Sequence, residues 1–223
     1  MPDVYATITD VDVAVQERLA DILELRAADP QQRSMLDSYL SEAELRSGAR
    51  VLEIGCETGP VTRVLARLPG VAEAVGVDPS PVFISRAREL GGADTHATFE
   101  QGDGRYLRFA DVDFDAVVMH TTLCHNPQPD QVLSEAIRVL RLGGNLAVFD
   151  GIDAVKAAFI NDPWLVRRMP ALLRSAGFEP IRSQSHGYLQ TDDPEYMLTL
   201  VDRGADTLAS LGRIGQDLCT SLK

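Results

Sequence analysis

The run Glu53-Ile54-Gly55-Cys56-Glu57-Thr58-Gly59 sets two carboxylates and two glycines within seven residues, and Asp78 follows 23 residues after Gly55. Glycine lets a backbone approach a ligand with no Cβ in the way. A carboxylate at that separation, closing the next strand, can accept both hydroxyls of a ribose. The pattern points to a nucleoside-containing cofactor.

The loop itself narrows which one. A dinucleotide loop reads G-x-G-x-x-G, its second glycine bringing bare backbone to the pyrophosphate. Here the spacing is G-x-x-x-G, and Glu57 stands where that second glycine would be. A carboxylate against a pyrophosphate costs on the order of several kcal/mol in a partly buried site. S-adenosylmethionine has no phosphate and carries a sulfonium and an ammonium against one carboxylate, so an acidic loop suits it. A nicotinamide dinucleotide is the alternative that Glu57 disfavours.

Such residues act together only if short strands deliver them to one edge. Apolar runs at Arg50 to Gly55, Ala74 to Asp78, Ala97 to Gln101, Phe114 to Met119 and Asn145 to Phe149 read as strands. Amphipathic segments separate them: one after Gly59, one from Ser80-Pro81 to Leu90, and one from Pro129 to Arg141 stopped by Gly143-Gly144. Strands alternating with helices imply βαβ units and a parallel sheet. In such sheets the ligand lies beyond the carboxyl ends of the strands. The residues at those ends are Gly55 to Gly59, Asp78, Asp103, His120 to Asn126 and Asp150.

Before residue 50 the chain reads as a helical cap. Asp10 is placed to cap a helix to about Ala28, and Asp29-Pro30 opens a second through Met35, Leu36, Tyr39 and Leu40. Towards the other end a helix is expected from Asp162-Pro163 to Ala176, then strands near residues 178–183 and 195–201. A polar turn at Thr191-Asp192-Asp193-Pro194 suggests a hairpin-like, antiparallel ending, with a closing helix over residues 203–223.

The chain has 223 residues and a formal net charge of −12, and a chain this long buries about 70% of its unfolded surface without a staple. Half of the excess negative charge falls in the first 49 residues. So acidic a surface repels phosphate backbones, which argues against nucleic-acid and anionic-membrane partners. Cys56, Cys124 and Cys219 are sparse and far apart, as in a reduced, cytoplasmic protein. The start shows no charged and apolar leader, and no run is long enough to cross a bilayer.

The segments Val51 to Gly59, Gly76-Val77-Asp78, Gly102-Asp103 and Leu140-Arg141-Leu142-Gly143-Gly144 resemble the class I S-adenosylmethionine-dependent methyltransferases, closest to a small-molecule, quinone-biosynthesis-like branch. The resemblance covers roughly residues 48–150. It implies a Rossmann-like, doubly wound seven-stranded α/β sheet with the last strand antiparallel. Residues 1–49 would form a helical cap and residues 50–223 the methyltransferase domain. The family loop normally carries a glycine at Glu57, and Leu142 stands where proline often precedes the double glycine. By this resemblance the glycine loop, with Glu53, Gly55, Cys56, Glu57 and Gly59, lies against the methionine part of S-adenosyl-L-methionine. Asp78, with Pro79, holds the ribose, Asp103 and Gly104 the adenine, and His120 completes the cofactor set. S-adenosyl-L-homocysteine would be the product.

Methyl transfer is an in-line displacement, and alignment alone is worth up to roughly 7–11 kcal/mol. A base adds roughly 10²–10⁴-fold when the acceptor carries a proton. His120 and His125 flank the loop after the fourth strand and His186 lies further on; His125, outermost, is the favoured base. His120, His125 and Asp150 match no familiar metal spacing, so no metal is expected. Tyr5 and Tyr39 are candidates to cover the cofactor, while Trp164 and Met169 read as core.

The expected protein is a methyltransferase acting on an O, N or C centre of a small organic acceptor in specialised or quinone-type metabolism, as a monomer or homodimer. A methyltransferase-like binding protein without turnover is the reading from another class.

Overall fold

The computed structural model describes residues 3–43, 45–92, 96–151, 161–187, 195–210 and 212–221. Two helices come first, α1 (Val13–Ala28) and α2 (Pro30–Leu40). Asp12, not Asp10, caps α1, its carboxylate accepting from the Ala14 N–H; Asp10 ends a short 3-10 turn instead. Asp29 caps α2 as expected, accepting from Gln32 N–H, and Pro30 begins the helix where a missing N–H is harmless.

The alternation then follows: β1 (Ala49–Ile54), α3 (Pro60–Leu65), β2 (Val71–Asp78), α4 (Pro81–Gly91), β3 (Ala97–Gln101), β4 (Phe114–His120), α5 (Pro129–Val139) and β5 (Leu140–Phe149). Helices α6 (Leu165–Ser175), α7 (Glu195–Ser210) and α8 (Gln216–Ser221) complete the described chain. The five strands are ordered β3-β2-β1-β4-β5 and every ladder is parallel. Strand order reverses between β1 and β4, which opens a crevice at their carboxyl ends.

Both faces of the sheet are covered, as a parallel sheet requires. Leu52, Ile54, Val117 and Met119 pack with Leu133 and Val132 of α5 on one face. Val51 and Val118 pack with Leu65 of α3 and with Leu36 and Leu40 of α2 on the other. The N-terminal segment is tied down as well: Ile8, Leu19 and Leu23 bury against Phe83 of α4.

The described sheet has five strands, not seven with an antiparallel last one. Residues 178–183 join no ladder: Pro180 lacks a donor and Ile181 is 90% exposed. Residues 195–201, β-prone by composition, lie in α7. Their burial follows helical spacing, with Tyr196, Leu200, Ala205 and Thr207 inside and Glu195 and Leu198 outside. The turn expected at residues 191–194 and the stretch 152–160 lie outside the described residues.

The glycine pair does not delay β5 until Asn145. Its ladder begins at Leu140 opposite Phe114 and resumes at Asn145 opposite Ala116, so the intervening residues bulge outward, leaving Leu142 99% exposed. A Cβ on Gly144 would stand 2.9 Å from the Asp115 carbonyl oxygen, which is why the bulge closes with glycine. Met169 packs against the core as expected, but Trp164 is 53% exposed: it sits at the cap of α6, before the helix turns its apolar side inward. No helix among the described residues is long and apolar enough to cross a membrane.

Candidate active site

Beyond β1, the Gly55 and Cys56 N–H groups both donate to the Val77 carbonyl, at 2.8 and 3.0 Å, and this latches the glycine loop to the end of β2. Gly55 (φ +75°) and Gly59 (φ +81°) have left-handed backbones. An added Cβ would meet the Thr122 side chain at 2.5 Å from Gly55 and the Phe99 ring at 2.4 Å from Gly59. Both glycines are thus demanded by the chain's own packing. Asp78 closes the assembly from β2: one carboxylate oxygen accepts from Glu57 N–H at 3.0 Å and the other from Ser80 N–H at 2.9 Å.

Glu57 itself is left-handed, with φ +53°. An L residue there pays roughly 1–2 kcal/mol that glycine does not, so the position is a glycine-type backbone occupied by a carboxylate. Arg26, buried near the end of α1, meets it. One guanidinium nitrogen pairs with Glu57 at 2.5 Å and the other donates to the Thr121 hydroxyl at 2.9 Å. Thr121 is again left-handed, at φ +53°. A single guanidinium therefore spans the two strained residues on either side of the β1–β4 crevice.

Two further carboxyl groups are buried beneath this pair. Glu53 is buried and accepts from the Thr62 hydroxyl of α3. Burial, assisted by Glu57, pushes its carboxyl up to about 8 against the hydrogen bonds from Thr62. Burial also raises Asp78 to about 7, against its two backbone hydrogen bonds. Cys56 points inward, clustering with Ile84, Ala87 and Phe99, and burial and the surrounding carboxylates push its thiol well above the usual range. Its Sγ also donates to the Glu57 carbonyl of the loop at 3.8 Å. The Thr58 hydroxyl is buried in the same loop without a hydrogen-bond partner among the described residues.

Further along the strand ends, Gly102 N–H donates to the Asp78 carbonyl at 3.0 Å, and a Cβ on Gly104 would strike Ile54 at 2.5 Å. Asp103 is taken up by Arg105, which contacts both carboxylate oxygens at 2.6–3.0 Å. Partial burial works against ionisation, but Arg105 outweighs it and holds the Asp103 carboxyl below its usual range. The Pro79 carbonyl accepts from Gln101.

The histidines separate by partner. His120, buried at the end of β4, bonds the Tyr39 hydroxyl through Nδ1 at 2.9 Å and stacks on Phe149 at 4.8 Å between ring centroids. His186 lies 6.3 Å from the same Phe149 ring. His125 ends a 3-10 turn, and its Nδ1 lies 2.7 Å from the carboxylate of Asp3. That carboxylate is buried and also accepts from the Tyr5 and Asn161 N–H groups, one oxygen serving both Asn161 and His125. Tyr5 packs on the His125 ring at 4.8 Å. Among the described residues no group of three His, Cys, Asp or Glu side chains is arranged to hold a metal ion.

Two site residues escaped the reading of the sequence. Asp3 gave no local signal, because its partner lies 122 positions away. Arg26 left one: with Gln16, Leu19, Ala20 and Leu23 it occupies the buried stripe of α1, and a charge on such a stripe needs a partner.

A carboxylate-rich loop with raised proton affinity and one counter-charge fits a ligand that brings positive charge, and it would repel a pyrophosphate. Residues 52–148 match the family described as a methyltransferase domain. Over 118 residues the chain is 31% identical to Methyltransferase GfsG of Streptomyces halstedii, covering 52% of this chain and 42% of that protein. Over 195 residues it is 30% identical to the 27-O-demethylrifamycin SV methyltransferase of Amycolatopsis mediterranei (strain S699), covering 80% of this chain and 64% of that protein. The chain thus spans less than two thirds of the length of these relatives. A solved SAM dependent methyltransferase from Aquifex aeolicus shares the fold at a TM-score of 0.60 and 20% identity, over 75% of this chain and 88% of that one. Residues 52–148 thus match the methyltransferase-domain family, in a chain similar to methyltransferases over as much as 80% of its length.

Proposed function

We propose that this protein transfers a methyl group from S-adenosylmethionine to an O, N or C centre of a small organic acceptor. The observation that carries the reading is the glycine loop, where Glu53, Glu57 and Asp78 converge with Arg26 as their counter-charge. When bound, the cofactor supplies an electrophilic methyl on a sulfonium. Asp78 uses one lone pair of each oxygen on backbone N–H groups, and a carboxylate has about four such sites, so two remain for ribose hydroxyls. The glycine loop and Glu57 face the amino-acid end. Asp103 and Gly104 stand at the adenine end, where Arg105 shares the carboxylate.

His125 takes the acceptor's proton in this reading. Asp3 is an acceptor only, so its hydrogen bond puts the imidazole proton on Nδ1 and leaves Nε2 as the basic atom. A base held in orientation by a third group is the arrangement general-base catalysis requires. His120, tied to Tyr39 and stacked on Phe149, positions the crevice wall. Residues 1–49 act as the cap, contributing Asp3, Tyr5, Arg26 and Tyr39, and residues 50–223 as the transferase domain.

The test is turnover: S-adenosylhomocysteine should accumulate when wild-type protein, S-adenosylmethionine and phenolic, amine or enolic acceptors are mixed. The buried Arg26–Glu57 pair across the loop favours one second reading, a domain that binds the cofactor without turnover. Cofactor binding with no methyl transfer to any acceptor class would select it.

A further inference from the structure

A cavity of about 430 Å³ opens between the end of α1, α2 and α3, and buried His120 is among the residues that line it. That size suits a small molecule. Four arginines line it: Arg26, Arg33, Arg63 and Arg67. Glu24 and Asp37 also line it.

Three of these guanidiniums already have partners, Arg67 among them. Arg26 holds Glu57 and Thr121, and Arg63 holds the Thr58 carbonyl at 2.7 Å and Glu24 at 2.8 Å. Arg33 is different. Its Nε donates to the Ala27 carbonyl at 3.0 Å, which fixes the side chain, while its two terminal nitrogens have no partner among the described residues. A fixed guanidinium with both terminal nitrogens unspent matches the two oxygens of a carboxylate.

We propose that this cavity is a carboxylate subsite for the methyl acceptor, with Arg33 as its recognition residue and His120 marking the end nearest the transferred methyl. The proposal rests on the methyltransferase reading for the identity of the ligand, but not for the existence of the subsite. The acceptor class that follows is a small organic acid.

Saturation-transfer NMR tests this on wild-type protein with benzoate, 3-phenylpropionate and their neutral amides, alone and with saturating S-adenosylhomocysteine. The acids should bind at least five-fold tighter than the amides, and Arg33→Gln should abolish that preference. Arg33 is exposed, so the variant should melt with the wild type. Equal binding of acids and amides, no binding of either acid at millimolar concentration, or an undiminished preference in Arg33→Gln would each overturn the subsite. The same carboxylate chemistry could come from the cofactor's own amino-acid end. If Arg33→Gln weakens S-adenosylhomocysteine but not methylthioadenosine, which lacks that end, the assignment to the acceptor is wrong. Failure of wild-type protein to bind S-adenosylhomocysteine would instead overturn the methyltransferase reading and leave the acid-against-amide comparison intact.

Discussion

Arg26 and Glu57, from the first helix and the glycine loop, form a buried ion pair at 2.5 Å, and Glu57 makes it from a left-handed backbone. Two effects oppose each other there. Replacing Glu57 by glycine relieves roughly 1–2 kcal/mol of backbone strain. It also strands a buried guanidinium, and removing one partner of a buried pair costs about 3–5 kcal/mol.

The pair should win. Glu57→Gly is expected to lose about 2–3 kcal/mol, a fall of roughly 5–10 °C in melting temperature for a chain this size. Adding Arg26→Met should recover most of it. Differential scanning calorimetry of the three variants decides; a single mutant as stable as wild type would mean that the pair contributes nothing net.

In the proposed function Asp78 holds the ribose. Hydrogen bonds to a charged group are worth about 1.5–3 kcal/mol, so Asp78→Ala should weaken S-adenosylhomocysteine binding by roughly ten-fold or more. The variant also frees the Glu57 and Ser80 N–H groups, so binding is to be measured well below its melting point. An unchanged dissociation constant would remove Asp78 from the site.

The raised carboxyls set a pH dependence. Asp78 at about 7 and Glu53 at about 8 bind protons more tightly folded than unfolded. Their contribution to stability is full below about pH 4 and lost as pH rises through 7 to 8. A cationic ligand favours their ionised forms, so S-adenosylmethionine should release protons on binding near pH 7. Calorimetry in two buffers of different ionisation heat reads this directly, and proton uptake would contradict it.

For the base, His125→Ala should lower turnover by about 10²-fold with cofactor affinity unchanged. Asp3→Asn should lower it less, since it disturbs only the orientation behind the imidazole. Turnover equal to wild type in both variants would show that no base acts here.

Much of this was legible because the informative signals were local. Each strand of the sheet is a short apolar run closed by a loop residue, and Gly55, Gly59 and Asp78 fall at the strand ends where a parallel sheet gathers them. Residues 195–201 misled because Leu, Thr, Tyr and Val suit strands, while the stripe that buries Tyr196 and Leu200 only becomes clear over the full sixteen residues of α7. Glu57 was recognised as a chemical substitution for glycine, but not as a conformational one. The contacts that define the cap's role, Asp3 to His125 and Arg26 to Glu57, are long-range pairings for which spacing along the chain carries no mark.

The acidic glycine loop is expected to select a phosphate-free, positively charged nucleoside. Isothermal titration of the wild-type protein with S-adenosylmethionine, S-adenosylhomocysteine and NAD tests it most directly. Binding of both sulfur nucleosides with none of NAD is the expected result; NAD binding as tight as theirs, or no binding of either, would contradict it.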